Sequence, residues 1–209
     1  ANSSREPLEG TMKRSLFVAI SIALSAAVTA PAVAQAAPSP TLAEILLSDS
    51  KKDAAHGFDS NPDDFDIVTQ ALLGYPDLVA AASNPGDYTV FLPKDYAFRK
   101  LVRSITGKTV LKESDVFAAV ASLGPETVKA VLTYHIVGSR ITAAQANKAD
   151  GTDVKTLGGG TITVDVRGNR IFLIDKDPDL RDPKVTIANI HASNGVAHAI
   201  DRVLLPINI

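Results

Sequence analysis

Cysteine is absent from all 209 residues. No disulfide can brace the fold, and the chain has no thiolate nucleophile, no cysteine-based zinc site and no thiol redox chemistry. Excess positive charge is missing too. The formal net charge is −2. The first 36 residues carry three of the 21 basic and two of the 23 acidic side chains, which leaves residues 37–209 at −3. A surface that tracks phosphates would be basic overall, so nucleic acid is not the expected partner. The one basic cluster is Lys94, Arg99, Lys100, Arg103, Lys108 and Lys112. It reads as a solvated helix face, with Arg99 and Arg103 at i, i+4 spacing.

Catalytic motifs are equally scarce. No serine sits in a Gly-x-Ser-x-Gly elbow. The run Gly158-Gly159-Gly160 precedes a strand-like segment, so it lacks the helix N-terminus of a phosphate cradle. No carboxylate pair stands out as an acid–base couple. The sequence therefore predicts neither an enzyme nor a cofactor.

What is present begins with an address. Met12 is followed by Lys13 and Arg14, the apolar run LFVAISIALSAAV, and small residues ending in Ala34-Gln35-Ala36. That order predicts a secretory signal peptide over 12–36, cut after Ala36 or Ala34. The run is shorter than the roughly 20 residues that span a bilayer, and no later segment offers a span. Residues 1–11 precede Met12 and read as a vector-derived tail. Residues 37–209 form the expected single domain, long enough for a core without disulfides.

The first half of that domain has helical periodicity. Thr41-Leu42-Ala43-Glu44 is a capping box. Residues 63–74 carry acids in a first turn and end at Gly74, and a shorter helix covers Asp77–Ala82. Tyr88–Leu92 reads as a buried strand broken by Pro93, with Asp95 placed to cap the next helix. On that helix Phe98, Leu101, Val102 and Ile105 form one apolar stripe. Helices over 114–124 and 125–137 follow, the second with Pro125 at its first position. ITAAQAN (141–147) suits a short helix. TITVDV, RIFLI, KVTIANI and VAHAIDRVLL then change to strand periodicity. Helices first and strands later predict an α+β fold instead of a doubly wound parallel sheet.

Three stretches resemble the fasciclin domain family. TVFLPKDYAF (89–98) is similar to its first box, T-V-F-A-P-T-x-x-A-F, and SNGVAHAIDRVLLP (193–206) to its second, N-G-V-I-H-V-I-D-x-V-L-L-P. VLTYHIVGSRIT (131–142) matches the Tyr-His segment between them. The resemblance covers about 41–206. It implies a wedge-shaped β-sandwich or barrel of about seven strands, with helices on one side and along an edge. It also implies a non-catalytic, secreted adhesion or matrix module, periplasmic or extracellular, that binds a cell-surface or matrix protein or glycan as a monomer. Thr89, Phe91, Pro93, Asn194, Gly195, His198 and Asp201 are its structural motif positions. Asp66-Ile67 and Tyr134-His135 occupy regions comparable to those implicated in receptor binding by animal members, and are the adhesion candidates.

Departures from the family pattern carry further expectations. Ala197 and Ala199 replace bulky residues on one strand face, so a neighbour such as Phe172 should fill the space. Otherwise an apolar pocket there would serve a periplasmic small-molecule or cofactor binder. Asn194-Gly195 is a strong two-residue hairpin signal, which would set His191 across from His198. Two imidazoles without a third ligand favour a structural role over a metal site. Asp201 reads as an acceptor for buried backbone N–H groups. Asp175-x-Asp177-x-Asp179, in the inserted loop 175–183, fails the EF-hand pattern at Leu180 and Thr186. The acids Asp59, Asp63, Asp64 and Asp66 read mainly as helix-start charge.

Overall fold

The computed structural model describes residues 38–50 and 57–208. The signal peptide expected over 12–36 and the tail expected over 1–11 lie outside the described residues. Helix α1 (Leu42–Asp49) starts at the capping box. The Thr41 hydroxyl accepts the Glu44 N–H, and the Glu44 carboxylate accepts the Thr41 N–H at 2.7 Å. After α2 (Asp66–Leu73) and α3 (Pro76–Ser83) comes strand β1 (Tyr88–Pro93). Helix α4 (Asp95–Thr106) stops at Gly107, whose φ of 70° lies in the left-handed region that ends helices. Helices α5 (Glu113–Ala121) and α6 (Pro125–Tyr134), strand β2 (Ile136–Val137) and helix α7 (Ala143–Ala146) complete the first half.

Strands β3 (Asp153–Lys155), β4 (Thr161–Arg167) and β5 (Arg170–Ile174) form one antiparallel sheet. Strands β6 (Val185–Ala192) and β7 (Gly195–Ile200) join the earlier pair in a second sheet of order β2-β1-β7-β6. Within it β1 and β7 run parallel, so the first strand of the domain lies beside the last. Bridges at Val137↔Thr156 and Phe172↔Lys184 link the two sheets. Among the described residues the fold is α+β with seven strands in two sheets, and these form no closed barrel.

Strand β7 is buried at every position and divides two cores. Ala197 and Ala199 belong to the helical core with Leu46, Phe98 and Leu101, while Ile200 belongs to the inter-sheet core with Phe91, Ile162 and Leu173. The expectation that Phe172 fills the space beside the alanines is not met. Helices close over the small side chains, and both alanines are fully buried. Phe172 sits elsewhere, half-buried on β5, with the Arg167 guanidinium 4.5 Å from its ring centre.

The terminal hairpin also differs from its expected register. Ala192 pairs with Gly195, so Ser193-Asn194 is the loop and His191 faces Val196, not His198. A bulge between Ile187 and Ile190 shifts the strand further. Asn189 sits in that bulge at φ 59°. Its N–H donates to His198 Nδ1 at 3.2 Å, and its side chain accepts the Ala143 N–H at the start of α7.

Candidate functional site

The apolar stripe of α4 runs past the core. Phe98, Leu101 and Val102 are buried, but Ile105 is 43% exposed. Leu123, at the break between α5 and α6, and Ile207, in the C-terminal segment, are exposed likewise. These three side chains rim a groove of about 630 Å³ whose floor includes Val68, Leu132, His135 and Val203. Such a volume lies in the range of small-ligand pockets, roughly 300–1,000 Å³. Neither Ala197 nor Ala199 lines it. The alternative of a pocket beside the alanines is therefore not met, and the groove lies instead among α4, α5, α6 and the chain's last residues.

The four adhesion candidates are interior. Asp66, Ile67, Tyr134 and His135 are each buried, which leaves a partner almost no side-chain surface to touch. Ile67 packs in the helical core. Tyr134 fills the inter-sheet core, and its hydroxyl donates to the Thr161 carbonyl at 2.7 Å. The glycine run wraps this ring, since a Cβ on Gly160 would come within 2.7 Å of Tyr134 Cε2. His135 alone of the four lines the groove. Its Nδ1–H donates to the Val131 carbonyl at 2.7 Å, and its Nε2 accepts the Leu204 N–H at 3.0 Å. Burial pushes its pKa down to about 4, so the ring is neutral. With both nitrogens engaged by backbone, it is not a poised general base.

His198 is held in the same manner. Its Nε2–H donates to the Ile141 carbonyl at 2.8 Å, its Nδ1 accepts from Asn189, and burial lowers its pKa. Asp201 accepts the Lys184 N–H at 2.8 Å and faces Lys100 at 3.6 Å. The basic helix face is similarly paired, Lys94 with Asp63 and Arg99 with Glu113. In the inserted loop, Asp175 and Asp177 accept backbone N–H groups of Asp177, Asp179 and Leu180, and Asp175 also accepts the Leu205 N–H. These acids shape a turn.

A denser acidic group lies beside α2. Oxygens of Asp64, Asp95 and Glu113, all buried, stand within 4.8 Å of one another, and Asp59, Asp64 and Asp66 form a second such set. Asp95 does not cap its own helix as expected. Its carboxylate accepts the Ile67 N–H at 3.0 Å and so caps α2. Burial raises the pKa of Asp95 and Asp64, and raises Glu113 to about 7 despite Arg99 at 2.8 Å.

The fasciclin domain family model matches residues 64–206. The chain belongs to the fasciclin domain family. Protein sll1483 of Synechocystis sp. is 34% identical over 138 residues, which cover 65% of this chain and 64% of that protein. The cell surface glycolipoprotein MPB83 of Mycobacterium bovis is 31% identical over 150 residues, 70% of this chain and 58% of that protein. The chain thus spans under two thirds of the length of both relatives. Among solved structures, a FAS1 domain pair from the insect cell adhesion molecule Fasciclin I aligns with a TM-score of 0.57 at 18% identity. That match covers 80% of this chain and 51% of the other, and it shows the fold.

The two fasciclin boxes meet in the structure as paired strands, with Phe91 opposite His198 and Thr89 opposite Val196. The Thr89 hydroxyl donates to the Ser139 carbonyl and accepts the Ile141 N–H, fixing the turn that in turn holds His198. Pro93 ends β1 opposite Ile200. The groove and the Asp64–Asp95–Glu113 group were not predicted from the fasciclin sequence, because their members come from segments far apart. The available signals were slight: Ile105 continuing the α4 stripe, and acids opening α4 and α5.

Proposed function

We propose that this fasciclin domain is a secreted, non-catalytic binding module that recognises a cell-surface or matrix partner by contact through the α4–α5–α6 groove. The observation that carries this reading is the apolar rim of Ile105, Leu123 and Ile207 around a groove of about 630 Å³. Exposed apolar surface gathered around a concavity marks interaction sites more often than isolated exposed residues do. The neutral, fully engaged histidines favour binding over chemistry. Similarity to an insect cell adhesion molecule and to a mycobacterial cell surface glycolipoprotein supports the same direction.

A second reading, a small-molecule binder, is favoured by the depth of the groove as far as His135. One experiment separates the two. The labelled chain is titrated onto cell-envelope material, and the purified chain is examined by native mass spectrometry for a retained apolar compound. Saturable envelope binding that Leu123→Asp abolishes supports the module. Retained compound without envelope binding supports the small-molecule reading, and neither signal would reject the groove as a recognition site.

A further inference from the structure

We propose that the carboxylates of Asp64, Asp95 and Glu113 bind one hard divalent cation of the calcium type. Asp95 is fully buried and Asp64 is 9% exposed, and apart from each other's carboxyl group neither Asp95 Oδ2 nor Asp64 Oδ1 has a hydrogen-bond partner. A proton shared between the two would match them, but with both ionised each is a buried carboxylate oxygen with no donor, which is costly unless a cation takes the proton's place. The third member, Glu113, is fully buried as well. Its Oε1 accepts from Arg99 and its Oε2 from the Asp59 N–H, and each oxygen keeps a second lone pair for a metal.

Charge and spacing both fit a divalent ion. Three carboxylates beside one guanidinium leave two negative charges, which one divalent cation neutralises. Oxygens on opposite sides of a calcium ion, each about 2.4 Å from it, are about 4.8 Å apart. The oxygens of this triad lie within that span of one another. A purely oxygen donor set selects a hard cation over zinc or copper. Burial raises all three carboxyl pKa values, and the neighbouring carboxylates add to the rise. The second set, Asp59, Asp64 and Asp66, shares Asp64 and includes the half-buried Asp59. It gives an ion a carboxylate-lined route from solvent. The ion would tie the start of α2, which Asp95 caps, to α4 and α5, three helices that contribute to the groove wall. The site itself stands whether or not the groove is the recognition surface.

The test is calcium titration of the EDTA-treated chain by calorimetry and thermal melting. The expected result is a one-to-one isotherm and a melting temperature raised by about 5 °C or more at a hundredfold excess over Kd. Asp95→Asn, which keeps the acceptor for Ile67, and Asp64→Asn should each weaken binding at least tenfold. Circular dichroism establishes that the variants fold, and the wild-type isotherm decides the matter if one does not. No calcium response in the wild type would overturn the proposal and leave a proton-sharing cluster. Binding that survives in both folded variants would overturn it as well, by placing the ion elsewhere.

Discussion

Asn194 Oδ1 accepts the Leu42 N–H at 2.9 Å, joining residues 152 positions apart in the chain. The same side chain donates through Nδ2 to the carbonyls of Ala82 and Asn84. One buried amide therefore ties the β6–β7 turn to the start of α1 and the end of α3. It satisfies an orphan donor of a helix N-terminus and two carbonyls at a helix end. Asn194→Ala removes all three bonds, and a loss of about 2–4 kcal/mol in urea denaturation is expected.

Gly195 is required for a different reason from the one its dipeptide suggests. Its φ is not positive, so backbone strain is not the issue. A Cβ there would stand 2.5 Å from the Tyr88 carbonyl oxygen and 3.0 Å from a Leu42 methyl. Gly195→Ala must therefore push β7 away from β1. A destabilisation of about 1–3 kcal/mol is expected by the same denaturation assay.

The Asn-Gly pair shows how far the sequence could be read. Its presence located the hairpin correctly, because turn chemistry is local. The register was misread by the usual two-residue rule, because long-range partners of Asn194 and the Asn189 bulge fix the pairing. Capping boxes at Thr41 and the stripe on α4 were legible for the same local reason. The sequence marks Asp95 as a cap, but the helix it caps is α2 and not its own. The pattern identifies a carboxylate at a helix start, whereas only folding brings the Ile67 N–H within 3.0 Å of it. The groove was hidden because five separate segments line it.

His135 makes stability depend on pH. Its folded pKa, near 4, lies below the ordinary value of 6.5. Between those limits the unfolded chain takes up a proton that the folded chain refuses, so this contribution is full above pH 6.5 and is lost as pH falls toward 4. The raised carboxyl groups, Glu113 and Asp95 among them, act in the opposite sense. The histidine effect is isolated by subtracting the profile of His135→Gln. The wild-type advantage should shrink by about 3 kcal/mol from pH 6.5 to 4 in equilibrium unfolding.

Groove substitutions should separate binding from stability. Ile105 and Leu123 are exposed, so Ile105→Asp and Leu123→Asp should each change stability by no more than about 0.5 kcal/mol. Envelope binding should fall at least tenfold in either variant. The buried Ile67→Ala is the contrast, losing about 2–5 kcal/mol of stability by cavity formation.

Hydrogen–deuterium exchange of the chain alone and captured on envelope material locates the contact directly. Recognition through the groove predicts slowed exchange in segments 104–107, 121–128 and 203–207, with the 192–195 turn unchanged. Slowed exchange confined to that turn or to 59–66, with the groove segments unaffected, would contradict it.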